Sequence, residues 1–236
     1  MSYNFEWSWN LPEIILLGIA YSIFIIIFTS LYKKQSEKPH IGKALLISFG
    51  GFISFSIDFH FQEYPVSIAV LPLGVWFLIF FIKRSDEERW RIYRGYAWLG
   101  FGFNYVFLLT GLLTPLLFNL MYNKNDPTTY LAHTDEADVH LSHESAEPQI
   151  LHNERLAAEL KNAQIEEFDS VGWHREAEDG EEKERFPYVL SGVEAESGSD
   201  LKAVTFVEKD GKGLLIQTQN DQLYVRTEQS VLEKGE

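Results

Sequence analysis

The chain has no cysteine among its 236 residues, which excludes disulfides, thiolate metal sites and cysteine nucleophiles. Over residues 95–123 it has no charged side chain either. As a helix that run would reach about 43 Å, more than the hydrocarbon thickness of a bilayer. Positive charge is missing at the start, where Glu6 and Glu13 precede the first basic residue, Lys33. A secretory leader opens on basic residues and closes on small ones, so this N-terminus is not read as one. Basic residues are scarce again in the tail. Residues 124–236 hold eleven Lys/Arg against twenty-six Asp/Glu, while residues 1–123 hold nine against eight. So acidic a tail repels phosphate backbones and anionic lipid, and nucleic acid is not an expected partner.

What remains before residue 124 is largely apolar and reads as membrane. Trp7 and Trp9 suit an interfacial belt, and residues 14–32 are uncharged and mostly aliphatic. Residues 44–61, 66–82 and 95–122 repeat that character, which predicts a four-span, all-α transmembrane bundle over 1–123. Pro65 disfavours helix just before it, so a tight turn is expected at 62–65. The connections after the first and third spans carry all nine Lys/Arg of this half. Short basic connections stay in the cytoplasm, so both termini are expected outside it, in a multi-pass protein of the cell membrane with the lipid bilayer as partner.

Polar residues inside these spans are the first functional candidates. Gly50, Ser54 and Asp58 recur every four residues with Gly51 beside them, and Gly100, Asn104, Gly111 and Pro115 share one helical face. Small residues let helices approach, so the simplest expectation is a packing seam between the second and fourth spans. The alternative is a polar path for a proton, ion or small substrate through Asp58, His60 and Asn104, since an intramembrane carboxylate is a functional candidate by default. Asp58, His60 and Glu63 do not fall on one helical face, although His60 and Glu63 lie three apart.

The tail opens as an acidic linker, 124–147, that holds His133, His140 and His143 among Asp135, Glu136, Asp138 and Glu144. Imidazole and carboxylate together suit a divalent metal, so these three histidines are candidate ligands. The zinc-enzyme pattern HExxH is absent, and a solvated linker is the plainer expectation. No cofactor is predicted beyond that alternative.

Residues 148–236 are expected to form a small soluble α+β domain. A helix is predicted over 148–168, with Pro148 at its first turn and Leu156, Leu160 and Ala163 on one stripe. An acid-rich loop follows over 169–185; it lacks the EF-hand order, so calcium is not predicted. Alternation within 186–193, 203–208, 214–219 and 223–227, with turns at Asp210-Gly211 and Asn220-Asp221, predicts three or four antiparallel strands. No GxSxG elbow frames any serine, no phosphate-cradling glycine loop precedes a helix, and His174 has no nucleophile at a recognisable spacing.

The expected function is therefore a non-enzymatic binding or accessory protein, presenting an acidic extracytoplasmic domain to a membrane or envelope protein or to a cation. The alternatives are a small transporter using Asp58 and Asn104, and a metal-handling protein using His133, His140 and His143.

Overall fold

A computed structural model describes residues 10–61, 64–144, 146–168, 184–219 and 221–234. Trp7, Trp9, Glu63, the acid run over 169–183 and its His174 lie outside these residues. The chain divides into two compact units, Trp9–Met121 and Tyr122–Glu236.

The first unit begins with helix α1 (Leu11–Lys34). Asn10 caps it by accepting the Glu13 N–H at 2.9 Å, Pro12 occupies its first turn, and Lys33 and Lys34 sit at its negative end. Helix α2 (Ile41–Phe52) follows, then strands β1 (Phe55–Phe61) and β2 (Tyr64–Leu71) in an antiparallel pair. Helix α3 (Leu73–Leu78) continues as a π-helical turn over Ile79–Lys83 and leads to the 35-residue helix α4 (Glu87–Met121).

Among the described residues only α1 and α4 are helices long and apolar enough to cross a membrane, so the four-helix bundle is corrected. The second and third expected spans are each part helix and part strand, which the sequence explains. Phe55, Ile57, Phe59 and Phe61 alternate with Ser56, Asp58 and His60. That period of two belongs to a strand and is erased when hydropathy is averaged over a window. β2 is rich in β-branched residues, and Pro65, expected in a turn, lies inside it at a position facing away from its partner strand.

The helices pack where side chains are smallest. A β-carbon at Gly51 would overlap the Ala97 carbonyl, and one at Gly100 would overlap that of Ser48, so α2 and α4 meet backbone to backbone. A β-carbon at Gly74 would overlap the Gly50 carbonyl, which sets the start of α3 on the end of α2. Aromatic rings fill the α1–α4 contact, with Phe28 and Tyr96 centroids 5.0 Å apart and Phe24 and Phe103 also 5.0 Å apart. Outside these contacts the unit shows its grease: Ile26 is 65% exposed, Phe49 76% and Leu120 82%.

The second unit is built on sheet. Helix α5 (Pro127–Tyr130) and strand β3 (Asp138–Leu141) occupy the expected linker. Strand β4 (Gln149–Leu151), helix α6 (Asn153–Leu160) and strand β5 (Gln164–Glu166) replace the single helix predicted over 148–168. Strands β6 (Tyr188–Ser191), β7 (Val204–Val207), β8 (Gly213–Gln217), β9 (Gln222–Arg226) and β10 (Leu232–Lys234) complete it. The expected three or four strands become a six-stranded antiparallel sheet in the order β3-β6-β7-β8-β9-β5, with β4 and β10 paired separately.

One face of this sheet holds the core. Leu190, Val207, Leu214, Ile216 and Val225 pack with Leu156 and Leu160 of α6 and with Val231. Gly211, at φ +70°, makes the β7–β8 turn that the Asp-Gly pair announces, and Asp210 supports it by accepting the Lys212 N–H at 2.8 Å.

Candidate functional site

Asp58 and His60 sit two apart on β1 and therefore on one face of the strand pair, an arrangement a helix would not permit. Both are exposed. Ser67 on β2, directly opposite Asp58, donates its hydroxyl to the carboxylate.

Asn104 lies on α4 and turns to the end of α2. Its Nδ2 donates to the Phe52 carbonyl at 3.1 Å and to the Phe101 carbonyl at 3.0 Å. The Phe52 oxygen belongs to the last turn of α2, where helix carbonyls lack intrahelical partners, so Asn104 acts as a C-terminal cap supplied by another helix. Both amide protons are engaged with backbone.

A cleft of about 520 Å³ opens between the strand pair and α4, with Ser54, Ser56, Ser67 and Asn104 among its lining residues and Phe107 and Leu108 as apolar walls. Ser54 and Ser56 hydrogen-bond to each other at 3.1 Å. No charged side chain lines the cleft among the described residues, and its polar groups are largely paired with one another or with backbone.

The three histidines of the tail take separate positions. His133 forms an isolated bridge with Glu194 through backbone alone, His140 stands on β3, and His143 lies beyond that strand. Among the described residues no group of three His, Asp or Glu side chains is placed to hold one metal ion.

His140 does acquire a partner that spacing could not show. Its Nε2 lies 2.7 Å from Ser191 Oγ on β6 and 4.0 Å from Asp138 Oδ2. A catalytic serine triad needs the serine on one imidazole nitrogen and the carboxylate on the other. Here both approach Nε2, and the group is an exposed cross-strand polar cluster without that arrangement among the described residues.

The most organised polar cluster was not singled out in the sequence. On the sheet face opposite the core, Glu208 accepts Arg185 Nε on Oε1 at 2.6 Å and Arg226 Nη1 on Oε2 at 2.7 Å. The Tyr224 hydroxyl donates to Oε2 at 2.9 Å, and Arg226 Nη2 donates to Asp210 Oδ2 at 2.6 Å. Arg185 also lies over the rings of Phe168, Phe186 and Tyr224, each within 5.4 Å of the centroid. Burial opposes ionisation of Asp210, but the Lys212 N–H and the Arg226 guanidinium outweigh it and hold the carboxyl below its ordinary value. Burial raises the Tyr224 hydroxyl, with the Glu208 carboxylate adding to that rise. The signal was the alternation Tyr224, Arg226 on β9, legible only once Glu208 is known to lie beside it.

Beyond this cluster the same face is open. Val204 is half exposed, and a shallow groove of about 450 Å³ runs past Val204, Phe206 and Gln217.

No protein-family model, no curated protein and no solved structure matches this chain.

Proposed function

We propose a non-enzymatic, membrane-anchored binding or accessory protein, held by α1 and α4 and presenting its acidic sheet unit outside the cytoplasm to a protein partner of basic surface. The observation that carries this reading is the meeting of the two basic helix ends. Gln35, just past α1, donates its amide to the Ile92 carbonyl at 2.6 Å and accepts the Tyr96 hydroxyl at 3.0 Å. Lys33 and Lys34 therefore share one end of the helix pair with Arg89, Arg91 and Arg94, and basic ends stay in the cytoplasm. Isoleucines exposed along α1 and leucines exposed along α4 form a surface that suits lipid better than water.

For the sheet unit, support comes from contrast between its faces. One carries the main core, whereas the other, beyond its smaller Phe186, Leu215 and Tyr224 cluster, offers half-exposed Val204 and the groove beside it, in a unit whose sequence is rich in carboxylates. Apolar surface on a unit of net negative charge suits a protein partner of the opposite sign.

Protease added to intact cells tests the anchoring. Cleavage of the sheet unit without permeabilisation is the expected result, and cleavage only after permeabilisation would reverse the orientation. A photo-crosslinking residue at Val204 in the full-length chain tests the binding face. A discrete adduct, lost when a lysine replaces Phe206, is expected; the absence of any adduct in membranes would remove the proposed surface.

A further inference from the structure

The two-stranded sheet of the helical unit has a problem that the membrane makes acute. β2 lies along α4, with the Tyr105 hydroxyl donating to the Ala69 carbonyl at 2.9 Å and Val66 beside Gly111. These contacts set the strand pair alongside the uncharged part of α4. The sheet order is β1-β2 and nothing more, so the outer edge of β1 pairs with no strand among the described residues. Open sheet edges do not occur facing lipid, because the backbone groups that water would satisfy at an exposed edge find no partner there. Something must cover this edge.

The backbone parity of the edge follows from Pro65. Proline has no N–H, so its pair with His60 is a non-hydrogen-bonded one. Alternation then turns the N–H and C=O of Ser56, Asp58 and His60 outward, toward the open edge. A second β1 meeting it antiparallel can align only in registers that set these residues against one another. Three are centred within one residue of the strand's middle, and the one about Ile57 sets Asp58 opposite only Ser56, whose hydroxyl is already bonded to Ser54. The register about Asp58 opposes two carboxylates. The register about Phe59 sets Asp58 of each copy opposite His60 of the other, Ile57 opposite Phe61, and Phe59 against itself.

We propose that the open edge of β1 is the docking surface for a second copy of this chain, joined in the register centred on Phe59. Two Asp58–His60 pairs then flank a two-fold axis, and the strand pairs merge into a four-stranded sheet. The strand is self-complementary in that register, an imidazole donor meeting a carboxylate acceptor twice, which is what selects an identical strand over an unrelated one. Ser67 already donates to Asp58 from the inner side, and His60 of the second copy approaches from the outer side. The polar row thus closes on itself within an otherwise apolar surface. This inference rests on the membrane reading given above.

Since the chain has no cysteine, single cysteines report on it directly. In the full-length protein in native membranes, Phe59→Cys places two thiols across a non-hydrogen-bonded pair, with α-carbons about 4.5 Å apart and within disulfide range. Ile57→Cys leaves its thiols roughly 13 Å apart along the strand direction. Mild oxidation is expected to yield a covalent dimer from Phe59→Cys and none from Ile57→Cys. Adding His60→Asp, which opposes carboxylates twice, is expected to lower the Phe59→Cys dimer about tenfold. Combining Asp58→His with His60→Asp restores the pairs and is expected to restore the dimer.

Carbonate extraction of the same membranes separates the failures. If the protein stays in the membrane pellet and Phe59→Cys gives no dimer, or an adduct with a different protein, the self-docking proposal is overturned while the anchoring stands. If the protein is extracted, the anchoring fails, and the need to cover the edge goes with it. Dimer from Ile57→Cys in place of Phe59→Cys would overturn the register.

Discussion

Glu208 holds Arg226 at 2.7 Å with a carboxylate only 12% exposed, on the sheet face opposite the main core, beside the smaller buried cluster of Phe186, Leu215 and Tyr224. Arg185 approaches the other oxygen, so the two arginines share one carboxylate and bring the start of β6, the end of β7 and β9 together. Replacing one member strands the others, because an acceptor removed from two charged donors leaves them desolvated without compensation. Glu208→Gln is expected to lower the unfolding free energy of the sheet unit by about 2 kcal/mol. Chemical denaturation followed by tyrosine and tryptophan fluorescence measures it, and an unchanged midpoint would make the cluster a surface ornament.

Asp210 ties the same cluster to pH. Its carboxyl titrates below its usual value in the folded chain, so the ion pair with Arg226 contributes stability that is complete above the unfolded carboxyl pKa of about 3.9. That contribution is lost as pH falls through the lower, folded value. The melting temperature of the wild-type chain is expected to converge on that of Asp210→Asn as pH drops from 5 toward about 2.5. Parallel curves over that window would exclude Asp210 as the source.

Thr205 presents the opposite case. It is fully buried on the core face of β7, and its hydroxyl has no hydrogen-bond partner among the described residues. Exchange of a buried, unpaired hydroxyl for a methyl group removes a desolvation cost. Thr205→Val is expected to stabilise the sheet unit by about 1 kcal/mol, read as a rise in the denaturation midpoint.

In the helical unit the expected weak points are glycines. Gly51 and Gly100 occupy the backbone contact of α2 with α4, and any β-carbon there meets a carbonyl that cannot move without moving its helix. Gly100→Ala is expected to cost about 2–3 kcal/mol. Gly102, on the same helix with open space about it, is expected to tolerate alanine without loss. Thermal aggregation of the two variants in mild detergent would discriminate them.

Asn104 separates a packing role from a transport role. With both amide protons on backbone carbonyls, Asn104→Leu leaves the end of α2 uncapped and is expected to destabilise the unit by about 1 kcal/mol. Proteoliposomes carrying Asn104→Leu and the wild type are expected to show equal, background ion permeability; a flux lost in the variant would restore the polar path.

The sequence by itself determined that the chain has an apolar half and an acidic half. The uncharged run over 95–123, the basic clusters at 33–43 and 83–94, and the acid excess after residue 124 are properties of composition. The close approach at Gly51 and Gly100 was legible as well, whereas Ser54 and Asp58, set on the same helical stripe by their spacing, lie beyond α2. The turn at Asp210-Gly211 was legible too, because a left-handed backbone leaves few residues to choose from.

Tertiary structure decided the rest. An apolar run of seventeen residues satisfies a hydropathy window equally as one helix or as half helix and half strand. Pairing partners decided between them, and Asp58 acquired Ser67 only through β1 and β2. Residues 124–168 split into short strands that are too brief to form alone and exist because strands from the end of the chain stand beside them. The Arg185, Glu208 and Arg226 cluster joins residues far apart in sequence, and no local spacing encodes which strand lies next to which. Local energetics select the backbone state, while the identity of a neighbour depends on burial that only the assembled sheet provides.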